Sequence, residues 1–342
     1  MATMPFLTRA RQRAKRSKWL LVGYIIANSA RLRVRSSLGR IDSLIGAVSR
    51  NRPLEETVRY IHQVYDDYRE YGGMCEEAIR NKRIVEIGPG DNVAVALKFL
   101  AAGAAQVVCI DRFKTIRDPD HERRIYLAVR DRLSEKERRR FDEAVDLRDG
   151  IRFNESRLRS VFGISAEQAD RVLGPGSADI VISRAVIEEV YRVDELFESM
   201  HRLLTPGGRM AHKIDLRDYG MFSANGYHPL EFLTIPEVIY DWMAKNAARP
   251  NRRRIDYYQH KMSALGYQAK IHITCVVTPE SSTVYKELVP HKADLERGVD
   301  YDERTIDAIR SIRPRLARRF RDLPDENLMA ASIFLAAQKP GV

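Results

Sequence analysis

The chain has 342 residues, 44% of them hydrophobic and 31% charged, enough apolar sequence for one large core with elaborations or for two domains. Its three cysteines, Cys75, Cys109 and Cys275, lie far apart, which excludes a disulfide framework or a cysteine-based zinc site. The net charge of +11 is concentrated at one end: residues 1–50 hold eleven Lys and Arg against the single acid Asp42, and everything after them sums to +1.

Residues 1–18 read as a basic arm, poor in apolar side chains. Trp19-Leu20-Leu21-Val22-Gly23-Tyr24-Ile25-Ile26-Ala27 is apolar but shorter than the ~20 residues a bilayer span needs. A basic run, an apolar stretch and Ala27-Asn28-Ser29 have the outline of a secretion signal. Arg31, Arg33 and Arg35 follow at once and set that reading aside. Two readings stay open: a helix packed on the core, or a helix lying on an anionic membrane surface. Helical spacing predicts two more helices, one through Leu38, Ile41, Leu44, Ile45 and Val48, the next through Leu54, Val58, Ile61, Tyr65 and Tyr68. Tyr65, Tyr68 and Tyr71 are either core aromatics or a cover over a ligand site.

The stretch that organises the chain is Ile84-Val85-Glu86-Ile87-Gly88-Pro89-Gly90-Asp91. A short apolar strand ends in a glycine turn, and a helix begins near Asn92. A second strand, Gln106 to Ile110, ends on Asp111. Glycines let a ligand approach the backbone, and an acid at the next strand end can accept hydrogen bonds from ribose hydroxyls. The dinucleotide fingerprint would want glycine at position 93, where valine stands. Residues 119–143 read as an inserted or lengthened helix, and Ile151–Asn154 as the third strand, from whose end Asn154 or Glu155 would reach an adenine edge. Ala178 to Ser183 is a fourth strand, Val193–Leu204 an amphipathic helix, Thr205-Pro206-Gly207-Gly208 a turn, and Met210–Leu216 a fifth strand. Tyr267–Val277 and Asn327–Lys339 supply two more. A helix over Thr305–Phe320 should break or kink at Pro314.

Glu86, Gly88 and Gly90, with Asn92 in place of a third glycine and Asp111 after the next strand, resemble motif I of class I S-adenosylmethionine-dependent methyltransferases. Ala185, Val186, Glu188 and Val190, and later Leu204, Pro206, Gly207 and Gly208, resemble the fourth-strand region and the "Leu-x-Pro-Gly-Gly" turn of the same family. Glu189 replaces the usual histidine. The resemblance implies an α/β fold, a seven-stranded, mostly parallel Rossmann-like sheet, and S-adenosyl-L-methionine as cofactor. It places Glu86, Gly88, Pro89, Gly90, Asp111, Arg112, Asn154, Ser183 and Arg184 at the cofactor. The domain plan is a basic helical arm at 1–50, a helical cap at 51–80 and a methyltransferase domain at 81–342, interrupted at about 217–255 and 280–325. Such insertions supply lids and substrate pockets, here with Tyr219, Phe222 and His228.

Methyl transfer needs a positioned acceptor and, for an alcohol, a base. Asp215, His212 and Glu188 are the candidates at the ends of the fourth and fifth strands. His212 on an apolar strand face is as readily a core histidine, and Asp215 as readily orients a hydroxyl or caps a turn. Asp215 and Asp218 offer two carboxylates for a divalent cation, but no third ligand is evident, so no metal is expected. There is no Asn-Pro-Pro-Tyr after the fourth strand and no Pro-Cys pair, which disfavours amide, base-amino and cytosine-C5 methylation. This favours an oxygen or amine on a non-nucleic-acid acceptor, and O-methylation of a saccharide or other small acceptor is the leading expectation. Nucleic acid is disfavoured, since the body carries almost no net positive charge. A nucleic-acid methylase and a non-catalytic scaffold are the rival readings. A cytoplasmic protein is expected, held at a membrane if residues 1–50 lie on one.

Overall fold

The computed structural model describes residues 17–37, 42–43, 49, 52–245, 247, 249–277, 290–294 and 303–341. Helix α1 (Lys18–Ser37) is followed by α2 (Leu54–Glu70), whose Val58, Ile61, Val64, Tyr65 and Tyr68 form one buried face. Strand β1 (Arg83–Ile87) is buried on both faces after its first residue, as a central parallel strand is, with Glu86 the one charged residue among Ile84, Val85 and Ile87. Helix α3 (Ala94–Ala101) and strand β2 (Gln106–Asp111) complete the first crossover.

Two helices occupy the charged stretch where one was expected. Asp118 caps α4 (Pro119–Asp131) by accepting from the Asp120 and His121 amides, with Pro119 in the first turn. Ser134 and Glu137 make a reciprocal capping box at the start of α5 (Glu135–Ala144), so the chain breaks there. The third strand is also displaced. Arg152–Phe153 pair only with Val145–Asp146 in a two-residue ladder. Asn154 closes that ladder as a turn residue, its side chain accepting from the Ser156 amide and hydroxyl and donating to the Glu143 carbonyl. The strand that joins the sheet is β3 (Leu158–Phe162), parallel to β2.

Strand β4 (Ala178–Arg184), helix α6 (Val193–Leu203) and strand β5 (Leu204–Asp215) follow. The Thr205–Gly208 turn is absorbed into β5 as an irregularity, and the β4–β5 register jumps there. After helices α7 (Glu237–Ala244) and α8 (Ile255–Ala264) come β6 (Gln268–Val276), β7 (Pro290–Asp294), α9 (Glu303–Ile312) and β8 (Ala330–Gln338). Helix α9 ends just before Pro314, and a single turn over Arg313–Arg315 replaces it. The sheet order is β7-β6-β8-β5-β4-β1-β2-β3. Strands β3 to β5 through the centre are parallel, while β8, β6 and β7 are antiparallel. Seven strands match the expectation, and β7 adds an eighth at the edge. The helix expected over Leu38–Val48 lies mostly outside the described residues; Asp42–Ser43 within it pair in parallel with Lys114–Thr115 instead.

Each sheet face carries an apolar cluster, and a third lies outside the sheet. There Leu21, Val22 and Ile25 of α1 pack on Phe222, Phe232, Leu233, Ile235 and Met243. The Ser29 hydroxyl donates to the Met243 carbonyl at 2.6 Å. Core packing is thus the reading the structure gives to one face of Trp19–Ala27. The fully buried Arg254 ties the strand ends together, its guanidinium donating to the carbonyls of Leu216, Asn327, Leu328 and Ala330. Among the described residues no helix is long and apolar enough to cross a membrane.

Ile25 is 4% exposed. Ile25→Ala should therefore lower stability by about 2–5 kcal/mol in urea unfolding, the range for core truncations. A merely solvated arm would give no change.

Candidate functional site

The strand order reverses between β1 and β4, and a crevice opens at their carboxyl ends. Two adjoining cavities fill it, of about 170 and 160 Å³, and they share Gly88, Gly90 and Ala185. Gly88 and Gly90 take φ of +72° and +73°, which L side chains resist. A Cβ on Gly88 would also stand 2.4 Å from Val186 Cγ2. The turn therefore needs glycine for conformation and for space.

The first cavity runs from the glycine turn past Ile110, Asp111, Arg112 and Phe113 to Ile164, Ala166 and Glu167, and is closed by Val186, Glu189, Val190 and Tyr191. Asp111 Oδ1 accepts from the Phe113 amide at 2.9 Å, which aims the carboxylate and leaves acceptor capacity for a hydroxylated ligand. Burial raises its pKa, opposed by the Phe113 amide and Arg117. The apolar walls Ile110, Phe113, Ile164 and Ala166 suit a flat aromatic base.

The second cavity lies between the turn and α2, lined by Arg52, Thr57, Tyr60, Ile61, Val64, Glu86, Pro89, Asn92 and Arg184. Glu86 is buried, and among the described residues no cation forms an ion pair with it. Burial pushes it up to about 7, against a Cys109 thiol contact at 3.5 Å and Arg117. A cationic ligand group would relieve that cost. Arg184 donates to Asp67 at 2.6 Å and to the Tyr60 hydroxyl at 3.2 Å. Arg52 and Arg184 both approach the Tyr60 ring, at 5.1 and 5.3 Å from its centre. Asp91 accepts from the Ser49 amide and hydroxyl, both at 2.7 Å, and so draws the N-terminal segment over the turn.

Of the residues expected at a cofactor, Glu86, Gly88, Pro89, Gly90, Asp111, Arg112 and Arg184 line these cavities. Asn154 does not; it sits before β3, at the amino end of the sheet, and is spent on its own turn. Ser183 is fully buried and its hydroxyl is 2.8 Å from His212 Nδ1 inside the sheet. His212 is fully buried too, and burial drives it down to about 3, so it is neutral and out of reach of solvent. Neither belongs to the site.

Glu188 is 2% exposed and joins the strand ends, accepting from the Asp215 amide at 3.0 Å and the Tyr219 hydroxyl at 2.8 Å. Burial, then the Asp215 charge, raises its pKa, which disfavours its ionised form, and it lines neither cavity. Asp215 is held by Arg217, which reaches it from its amide, Nε and Nη2. It lines neither cavity. Asp218 caps its own loop, taking the Gly220, Phe222 and Ser223 amides and the Ser223 hydroxyl. Phe222 is fully buried in the third cluster, and His228 takes the Leu230 amide. Of the aromatic lid, only Tyr219 reaches the residues around the site.

The side chains that sequence reasoning passed over are Glu189 and Tyr60. Glu189 faces the first cavity, and burial lifts it to about 7, opposed by the Tyr219 hydroxyl and Arg249. Ala185 and Tyr219 on either side of it take φ of +54° and +53°, strain that is uncommon off glycine. Tyr60 had a signal: Thr57, Tyr60, Ile61 and Val64 follow helical spacing along one face of α2.

A family model described as a methyltransferase domain matches residues 59–273. No curated protein matches the sequence. Among solved structures the chain is similar to phosphoethanolamine N-methyltransferase 2 of Haemonchus contortus in complex with S-adenosyl-L-methionine, at 14% identity and a TM-score of 0.41 over 81% of this chain and 52% of that one. It thus spans about half the length of the Haemonchus enzyme. It is also similar to an S-adenosylmethionine-dependent methyltransferase of Mesorhizobium loti, at 14% identity, 82% and 100% coverage and a TM-score of 0.41. The YcgJ protein of Bacillus subtilis gives 15% identity, 82% and 100% coverage and a TM-score of 0.39. The family match spans more than half of the chain and coincides with the crevice, so this chain belongs to the S-adenosylmethionine-dependent methyltransferase-domain family.

Proposed function

We propose that this protein transfers the methyl group of S-adenosylmethionine to a hydroxyl of a small acceptor such as a saccharide, with Glu189 as general base. One observation carries the reading: Glu189 faces the cavity that holds Asp111 and shares the glycine turn with the Glu86 cavity. The residues fit the cofactor. Asp111 would hold the ribose hydroxyls, Glu86 the cationic amino-acid end, and the Gly88–Gly90 turn the space between them. Arg52 and Arg184 supply positive charge for a carboxylate on the same end. When bound, the cofactor supplies an electrophilic methyl on a sulfonium, so the protein itself needs only to position the acceptor and take a proton.

Glu189 would take the acceptor O–H proton as the methyl group is transferred and would itself be left as a protonated carboxyl. A pKa of about 7 suits that task, because the base is then partly ionised at neutral pH yet basic enough to accept. Tyr219 and Arg249 lower its pKa against the effect of burial. The charge distribution supports a non-nucleic-acid acceptor, since residues beyond 50 sum to only +1.

Cofactor affinity should fall as pH drops through about 7, because the protonated Glu86 no longer attracts a cation; the fall approaches tenfold per pH unit at its steepest. Calorimetry should show Glu86→Gln flattening that dependence and Asp111→Ala weakening binding at every pH. Retained affinity in both would remove these residues from the cofactor site.

Glu189→Gln should cut kcat by roughly 10²–10⁴-fold with cofactor affinity little changed, and erase the rise in rate with pH near 7. Asp215→Asn should leave that pH limb in place. An unchanged pH limb in Glu189→Gln would assign the proton to another group.

A further inference from the structure

We infer that α1 and α7 together form a docking surface for an anionic lipid membrane. The two helices lie side by side: Arg33 donates to the Trp242 and Lys245 carbonyls at 3.1 Å each, and at the other end of α1 Lys18 pairs with Glu231, in the turn before α7, at 2.8 Å. Their facing sides are spent on the third apolar cluster. Their outward sides are apolar as well. Trp19, Leu20 and Tyr24 of α1 are 56%, 59% and 56% exposed, and Val238 and Trp242 of α7 are 72% and 62% exposed.

Both tryptophans of the chain stand on this pair of helices with most of their surface in water. A monomer gains nothing by exposing its two largest side chains on adjoining helices. Trp and Tyr favour the boundary between headgroups and acyl chains, where an apolar ring meets a polar rim.

Charge selects the occupant. Arg31, Arg33 and Lys245 lie on or beside the two helices, and Arg9, Arg11, Arg13, Lys15 and Arg16 precede α1 in sequence without an intervening acid. Of the acids on α7, Glu237 is paired with Arg252 and Arg319, and Asp241 faces Tyr191. A basic rim around an exposed aromatic and aliphatic face matches anionic headgroups over an acyl layer. The inference is independent of the acceptor and of Glu189.

Because the chain has only two tryptophans, its own fluorescence reports on this surface. Full-length protein should be titrated with vesicles of phosphatidylcholine plus phosphatidylglycerol, and with vesicles of phosphatidylcholine alone. Emission should shift to shorter wavelength and the protein should float with the anionic vesicles at low salt. Trp19→Phe and Trp242→Phe should each retain the shift, showing that both helices insert. Leu20→Glu combined with Val238→Glu should reduce partitioning roughly tenfold or more, with helical content and cofactor affinity unchanged. The inference fails if neither tryptophan responds to anionic vesicles, or if the double variant binds them as wild type does. It also fails if light scattering shows a dimer that the same double variant breaks, since a second copy then covers the face.

Discussion

The site depends on one buried carboxyl. Glu188 is driven out of water just after β4, where it accepts the Asp215 amide at the end of β5 and the Tyr219 hydroxyl beyond it. Burial and the Asp215 charge raise its pKa, and the two hydrogen bonds to Oε1 offset part of the cost of burying it. Its main-chain oxygen also accepts the Asn251 amide at 2.7 Å, so the segment before α8 is fixed to the same point. With Glu188 turned inward, its neighbour Glu189 is presented to the cavity. The positive φ of Ala185 and Tyr219 shows that the chain is bent sharply on both sides of this contact.

Around that pin, burial has made two more carboxyls responsive near neutral pH. Glu86 in the second cavity and Glu189 in the first are both lifted to about 7 by desolvation. Their partners differ. Glu86 meets a thiol and a distant Arg117, so it gains most from a cationic ligand. Glu189 feels Tyr219 and Arg249, which lower its pKa, and among the described residues no salt bridge to it is found. Under the proposed function the same type of residue would serve cofactor binding at one position and proton transfer at the other.

The parallel half of the sheet was legible because β1, β2 and β4 are short apolar runs closed by glycine, Asp111 and an acidic pair, each a strong local signal. The third strand was not. Ile151–Phe153 has as much apolar character as Leu158–Phe162, and only the Asn154 turn decides which one reaches β2. Ser183 and His212 were misplaced for a related reason. A strand alternates its side chains, and at the end of β4 the hydroxyl points into the sheet toward its neighbour while Arg184 points to the cavity. The amphipathic character of Trp19–Ala27 was visible, but not which elements it meets. Its partners come from residues 221–244, some 200 positions away, and no local pattern encodes such a pairing.

The central claim is that the two cavities joined at Gly88 and Gly90 form one cleft for S-adenosylmethionine, with Glu189 facing the reacting end. A crystal structure of the protein soaked with S-adenosylhomocysteine tests it most directly. The account predicts the adenosine in the Ile110–Ala166 cavity, ribose hydroxyls on Asp111, the amino-acid end beside Glu86 and Arg184, and Glu189 open toward the sulfur. Adenosine bound elsewhere, or a Glu189 side chain walled off from the sulfur by protein, would contradict it.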